Sequence, residues 1–323
     1  MFHGEDFNNI MQLMSEAKPF WLLVCILMVL GFIGCEAWII HDMFAKLGIK
    51  TGRTECFLYS CVGFFFSCVT PSASGGQPAQ MVYMKKKGIK VSSSTNVLMW
   101  VTILYKMVLV IIGLALVLFR LGFIRDYMEQ TVWLFYLGIF LNVACVAFMV
   151  LMWIKSEWLE NIGKFGIALL HKLHIGRRRS KKRRKLRRFI QDYDHSFAAL
   201  RGEIGLITKS FIITFLQRML LFAITGFVYL SFGLKGFSFG NIVILQAVIS
   251  ISVDMLPLPG GSGISEHLFL VVFTGIFKGD LLIPGMVLSR GIAYYVQLIF
   301  CAVMTVIAHV YFSRKGNAQQ AEQ

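Results

Sequence analysis

Residues Val97 to Phe119 and Val132 to Ile154 are apolar runs of 23 residues each. As helices rising 1.5 Å per residue, such runs cross roughly 30 Å of hydrocarbon. Lipid offers the backbone no hydrogen bonds, so a chain built of these runs satisfies its own peptide groups within helices. The composition is of the same kind: 57% of the 323 residues are hydrophobic, 15% are charged, and mean hydropathy is +0.69, beyond a soluble domain. The expected fold is an all-α polytopic membrane protein.

Eight apolar segments can be drawn, at 19–40, 54–70, 72–84, 95–119, 131–154, 205–231, 241–277 and 284–312. Glu5, Asp6 and Glu16 precede the first, which therefore lacks the basic start of a cleaved signal peptide and is expected to be retained. Seven cysteines, mostly within apolar segments and without CxxC spacing, suggest neither a metal site nor a disulfide framework.

Two of these stretches are broken at matching places. The first break reads Pro71-Ser-Ala-Ser-Gly75-Gly76-Gln77-Pro78 and the second Pro257-Leu-Pro259-Gly260-Gly261-Ser262-Gly263. Proline removes a backbone donor and glycine frees the chain, so neither run continues as one helix. Irregular backbone at membrane depth must face protein or a water-filled cavity, which makes paired breaks pointers to a transport site. Residues 54–84 and 241–277 are accordingly read as helical hairpins, dipping or crossing.

Charge counting orients them. With 155–204 inside the cell, parity places 41–53, 85–94 and the C-terminus inside too, giving 23 Lys and Arg against 5 on the opposite side. The first hairpin then enters from the cytoplasm and the second from outside. The halves, 1–154 and 205–313, form an inverted repeat around the basic segment 155–204, and 314–323 is a cytoplasmic tail.

Ionisable groups inside spans cost several kcal/mol unless paired or hydrated, so Lys106, Arg218 and Arg290 are candidate functional residues. Lys106 follows Gly76 by 30 residues and Arg290 follows Gly261 by 29, a relation that the repeat requires. Their guanidinium and ammonium groups suit the phosphate of a lipid head group. Asp254 and Glu266 flank the second break, either neutralising Arg218 or Arg290 or serving a proton relay. Gln77, Gln80, Ser262 and Ser265 either hydrogen-bond the head group or satisfy the broken backbone. The half-helix N-termini beyond Gly75–Gly76 and Gly260–Gly261 add positive dipole ends, and Tyr294 and Tyr295 are placed to line the pocket.

From Arg177 to Arg188, ten of twelve residues are Lys or Arg, beside amphipathic flanks such as Trp158 to Phe165. An interfacial element on anionic lipid is expected; RNA contact is the other reading, without an RNA-binding fold to support it.

Thr70-Pro-Ser-Ala-Ser-Gly-Gly-Gln-Pro-Ala-Gln80, Tyr83-Met-Lys-Lys-Lys-Gly-Ile, Tyr105-Lys106, Pro-Leu-Pro-Gly-Gly-Ser-Gly-Ile-Ser-Glu266, and Ser289-Arg290 with Tyr294-Tyr295 carry a resemblance over nearly the whole chain. They resemble the flippase-like transmembrane region of the lysylphosphatidylglycerol synthase/flippase proteins, the multiple peptide resistance factors. That resemblance implies movement of an anionic or aminoacylated phospholipid between the leaflets of a bacterial plasma membrane. Bifunctional members add a soluble lysyltransferase domain, for which the sequence has no room beyond its last span. The alternatives are therefore the membrane part of a phosphatidylglycerol lysyltransferase working with a separate synthase, or a lipid-binding scaffold. No catalytic residue, metal or cofactor is expected. Without a Walker motif, any active transport would draw on an ion gradient or lipid consumption, and passive scrambling is the other reading. Expected partners are membrane phospholipids, a separate synthase and a second copy of the chain, but not DNA.

Overall fold

The computed structural model describes residues 7–154, 179–258 and 261–321. Helices α1 (Phe7–Ser15), α2 (Pro19–Lys46), α3 (Arg53–Val69), α4 (Gly76–Lys86), α5 (Val91–Met128) and α6 (Val132–Ile154) make the first part. Then come α7 (Arg179–Arg201), α8 (Ile204–Ser231), α9 (Phe239–Val253), α10 (Ile264–Phe273), α11 (Leu282–Arg290), a π-helical turn at Gly291–Val296, and α12 (Gln297–Ala321). Among the described residues there is no strand beyond an isolated bridge between Thr274 and Phe277.

Local chemistry sets the ends. Pro19 opens α2 at a position where its missing N–H costs nothing. Helices α3 and α10 begin alike: the amides of Gly52 and Gly263 donate to the carboxylates of Glu55 and Glu266, at 2.9 and 2.6 Å.

The same order of elements occurs twice. A 28-residue helix, a 17-residue helix, a break, an 11-residue helix and a 38-residue helix run from α2 to α5. A 28-residue helix, a 15-residue helix, a break and a 10-residue helix follow in α8 to α10, and α11, the π turn and α12 supply the final long rod. Helix α2 packs along α8, α3 along α12, and α9 against both α8 and α6.

Four helical stretches, Pro19–Lys46, Val91–Met152, Ile204–Ser231 and Gly279–Arg314, are long and apolar enough to cross a membrane. The second contains both α5 and α6, with α5 kinked at Arg120. Large apolar side chains stand on the outer surface, among them Phe20, Leu118, Phe119, Phe140 and Ile299. Water would not tolerate so much exposed apolar surface on a monomer, whereas hydrocarbon does. The protein is a helical membrane protein.

Connections gather at two ends. At one, Lys46 pairs with Glu203 at 2.5 Å, Lys90 with Asp192 at 2.8 Å, and Lys86 Nζ donates to Ser313 Oγ at 3.4 Å. Helix α7 is tied there through Asn96 Nδ2, which donates to the Tyr193 carbonyl at 2.8 Å, and through the buried Tyr193 side chain. At the other, the Lys18 amide donates to the Ser231 carbonyl at 2.9 Å, Arg120 to Asn241 Oδ1 at 2.8 Å, and Tyr127 meets Phe237 edge-on.

Candidate functional site

At the first break the chain leaves α3 at Thr70, turns through a 3-10 segment at Pro71–Ala73 and re-enters helix at Gly76. Thr70 Oγ1 accepts from the Gly75 amide at 2.9 Å, holding the turn shut. Gly76 lies against the Gly63 carbonyl and the Ser67 hydroxyl, where a Cβ would collide, so glycine sets how closely the two arms approach. Ala73 takes a positive φ of 54°, a strained backbone for a residue with a side chain. Among the described residues no side chain caps the N-terminus of α4.

The second break is built differently. Gly261 and Gly263 have φ of +66° and +87°, which favour glycine, and Gly261 also abuts the Val253 side chain. Here the helix N-terminus is occupied: Glu266 accepts from the Gly263 amide, from Ser265 Oγ at 3.0 Å and from Arg290 Nε at 2.9 Å.

Each break is also gripped by the other half of the chain. Asp254, at the end of α9, accepts from both Tyr105 and Lys106 of α5. Tyr294 donates its hydroxyl to the Cys68 carbonyl at 2.9 Å, reaching the end of α3 from the π turn.

Two adjoining cavities open between the breaks. The first, about 440 Å³, is lined by Glu36, Gly76, Gln77, Gln80, Lys106 and Arg218 among others. The second, about 250 Å³, is lined by Arg218, Gly261, Ser265, Ser289, Arg290 and Tyr294 among others. Phe32, Ser67, Ala73, Tyr105, Arg218 and Asp254 line both. Arg218 is only 8% exposed, its guanidinium lies 4.6 Å from the Phe32 ring centroid and 4.3 Å from that of Tyr105, and its Nε makes no hydrogen bond. Among the described residues it forms no salt bridge, whereas Lys106 pairs with Asp254 and Arg290 with Glu266. A buried guanidinium with an unsatisfied donor, standing in the wall of two cavities, is a ready anion ligand.

A family model described as the lysylphosphatidylglycerol synthase TM region matches residues 1–301. The chain belongs to that family. No curated protein matches it.

Within this member of the lysylphosphatidylglycerol synthase TM region family, six of the residues singled out in sequence line the larger cavity: Gly76, Gln77, Gln80, Lys106, Arg218 and Asp254. Gly261, Arg290 and Tyr294 line the smaller one. Gly75 sits behind the first turn against Thr70, Glu266 lies behind Arg290, and Ser262 is exposed and lines neither cavity. Tyr295 is 52% exposed, so of the tyrosine pair only Tyr294 faces the cavity, because successive residues of a helical turn point about 100° apart. Gly260 and the flank from Trp158 to Phe165 lie outside the described residues.

In the sequence, Asp254 and Glu266 read either as neutralising Arg218 or Arg290 or as a proton relay. Glu266 meets Arg290, and Asp254 pairs with Lys106 while its charge also acts on Arg218. The positive helix end expected at the second break is spent on Glu266, leaving that of α4 uncapped. Sequence reasoning passed over Glu36, whose Oε1 accepts from Gln80 Nε2 at 2.9 Å in the larger cavity. The signal was present, since a carboxylate inside the first span is as costly as a lysine inside the fourth. It also passed over the π turn, which follows Arg290 directly and carries Tyr294; such turns collect at functional positions.

Proposed function

We propose that this chain is an integral membrane lipid translocase, in which Arg218 holds the phosphate of an anionic or aminoacylated phospholipid head group between the two breaks. The observation that carries this reading is the buried, unpaired guanidinium shared by both cavities. The uncapped N-terminus of α4 adds a positive dipole end on the larger cavity's side. Acyl chains remain in lipid throughout.

The halves are read as an inverted repeat. Supporting this are the twice-occurring order of elements and the odd extra crossing by α6, which turns the second unit over. A site at the junction of two broken units is reached from either side when one unit rocks against the other. The basic loops that meet at one end of the molecule are placed in the cytoplasm of a bacterial cell, with the N-terminus outside. The exposed Arg184, Lys185, Arg187 and Arg188 of α7 then face anionic lipid heads. The family's description favours a second reading, in which the chain serves a separate synthase as its membrane part.

The test is reconstitution into liposomes carrying head-group-labelled phospholipids, scored by the accessibility of the label over time. Wild type accelerates exchange between leaflets, and Arg218→Met, which keeps the bulk and removes the charge, abolishes the acceleration. Exchange no faster than in empty vesicles, for every lipid tried, refutes translocation.

A further inference from the structure

Among the described residues, Glu36, Lys106, Arg218, Asp254 and Arg290 line the two cavities, with Glu266 behind Arg290, and two pairs of these are already matched. Lys106 is paired with Asp254, and Arg290 with Glu266 at 2.9 Å. Arg218 and Glu36 remain. Both line the 440 Å³ cavity, and among the described residues neither forms a salt bridge. Glu36 has a neutral partner instead, the Gln80 amide, which donates to Oε1 at 2.9 Å. The place of that amide is reserved by Gly63, where any Cβ would strike the Gln80 side chain. A chamber of this size lies within the range of about 300–1,000 Å³ typical of small-molecule sites.

A guanidinium and a carboxylate that act on each other across one chamber without forming a salt bridge define the charge pattern of an occupant that comes between them. The guanidinium donates to phosphate oxygens in a planar fork, and the carboxylate accepts from a protonated amine. A head group with phosphate but no amine would draw the Arg218 charge to itself and leave Glu36 without a counter-charge. A head group with two amines would bring a second cation for which the chamber has no unmatched carboxylate. Burial makes both mismatches costly, because a low dielectric magnifies unpaired charge.

We propose that the larger cavity is a binding site for a zwitterionic head group bearing one phosphate and one protonated amine, with Arg218 on the phosphate and Glu36, positioned by Gln80, on the amine. Placing this head group on a moving lipid rests on the translocase reading and narrows its lipid to one whose head group carries a single amine. The site itself does not, since occupancy is measurable without transport.

The experiment is isothermal titration of the detergent-solubilised full chain with short-chain phosphatidylethanolamine, phosphatidylglycerol and lysylphosphatidylglycerol, carrying one, no and two amines. Wild type binds the one-amine lipid roughly tenfold more tightly than either other lipid, and Glu36→Gln brings the ratio of the one-amine to the no-amine lipid to about one. The proposal is overturned if wild type shows no such preference, if it binds none of the three, or if Glu36→Gln leaves the ratio unchanged. The wild-type arm decides even where the variant does not fold. Selective binding without leaflet exchange in liposomes would sink the translocase reading alone. Exchange without selectivity would sink this proposal alone.

Discussion

The Lys106–Asp254 pair ties α5 to the second break, and the structure fixes what its removal should cost. Lys106 is 8% exposed, and besides Asp254 its ammonium has only the Met255 sulfur at 3.0 Å and the Tyr105 ring at 5.0 Å among the described residues. Neither replaces a carboxylate. Asp254→Asn therefore strands a buried cation, and about 3–5 kcal/mol of stability should be lost. Lys106→Met is milder, about 2–3 kcal/mol, because Asp254 keeps the hydroxyl of Tyr105. The double variant leaves no charge to strand and should cost about 2 kcal/mol or less, since neutral groups of similar volume often replace a buried pair without loss. The coupling energy is then about 3 kcal/mol or more, well above the scatter of additive pairs. Equilibrium unfolding in mixed micelles, followed by tryptophan fluorescence, reads all four proteins. Single-variant costs that sum to the double within about 0.5 kcal/mol would refute the pairing.

Gly76→Val pushes a branched side chain into Gly63 and Ser67, so it should destabilise by about 1–3 kcal/mol and prise the first hairpin open, seen as faster proteolysis near residue 70. Glu266→Ala removes both the cap of α10 and a partner of Arg290, whereas Glu266→Gln can still accept from the Gly263 amide; thermal unfolding should rank alanine below glutamine by about 1 kcal/mol. Tyr193 of α7 has its phenol pushed up from 10.0 to about 12 by burial, with Asp194 adding to the shift. Its folded-state value is raised, so the docking energy of α7 is intact below pH 10 and is lost as pH rises from 10 towards 12; absorbance titration at alkaline pH, compared with Tyr193→Phe, should show a phenol that ionises only as α7 releases.

Sequence alone carries the fold class because the signal is local: a 23-residue apolar run has no stable home but hydrocarbon or a core. The breaks were equally legible, since Pro71 and Pro257 with their glycines cannot lie inside a helix. Lys106 and Arg290 were found by their spacing from those glycines. Partnership was not legible. Lys106 and Asp254 are 148 residues apart, and nothing in their local pattern says that Asp254 pairs with Lys106 while Arg218 is left without a salt bridge among the described residues. Glu36 was missed for a related reason: it has no break beside it, and its meaning comes from Gln80, 44 residues away. The π turn was not legible because nothing in Gly291 to Val296 separates it from an ordinary apolar helical stretch.

The account rests on one wall shared by two cavities, and Ala73 is part of it. Its backbone already has a positive φ, so Ala73→Cys adds only a sulfur at that point. Membrane-impermeant thiol reagents applied to one side, then the other, of vesicles holding this variant measure who can reach the wall. Labelling above the wild-type background from each side, suppressed by saturating head-group lipid, is the expected result. Labelling from one side only, or no labelling from either, would contradict a site opened in turn to both faces of the membrane.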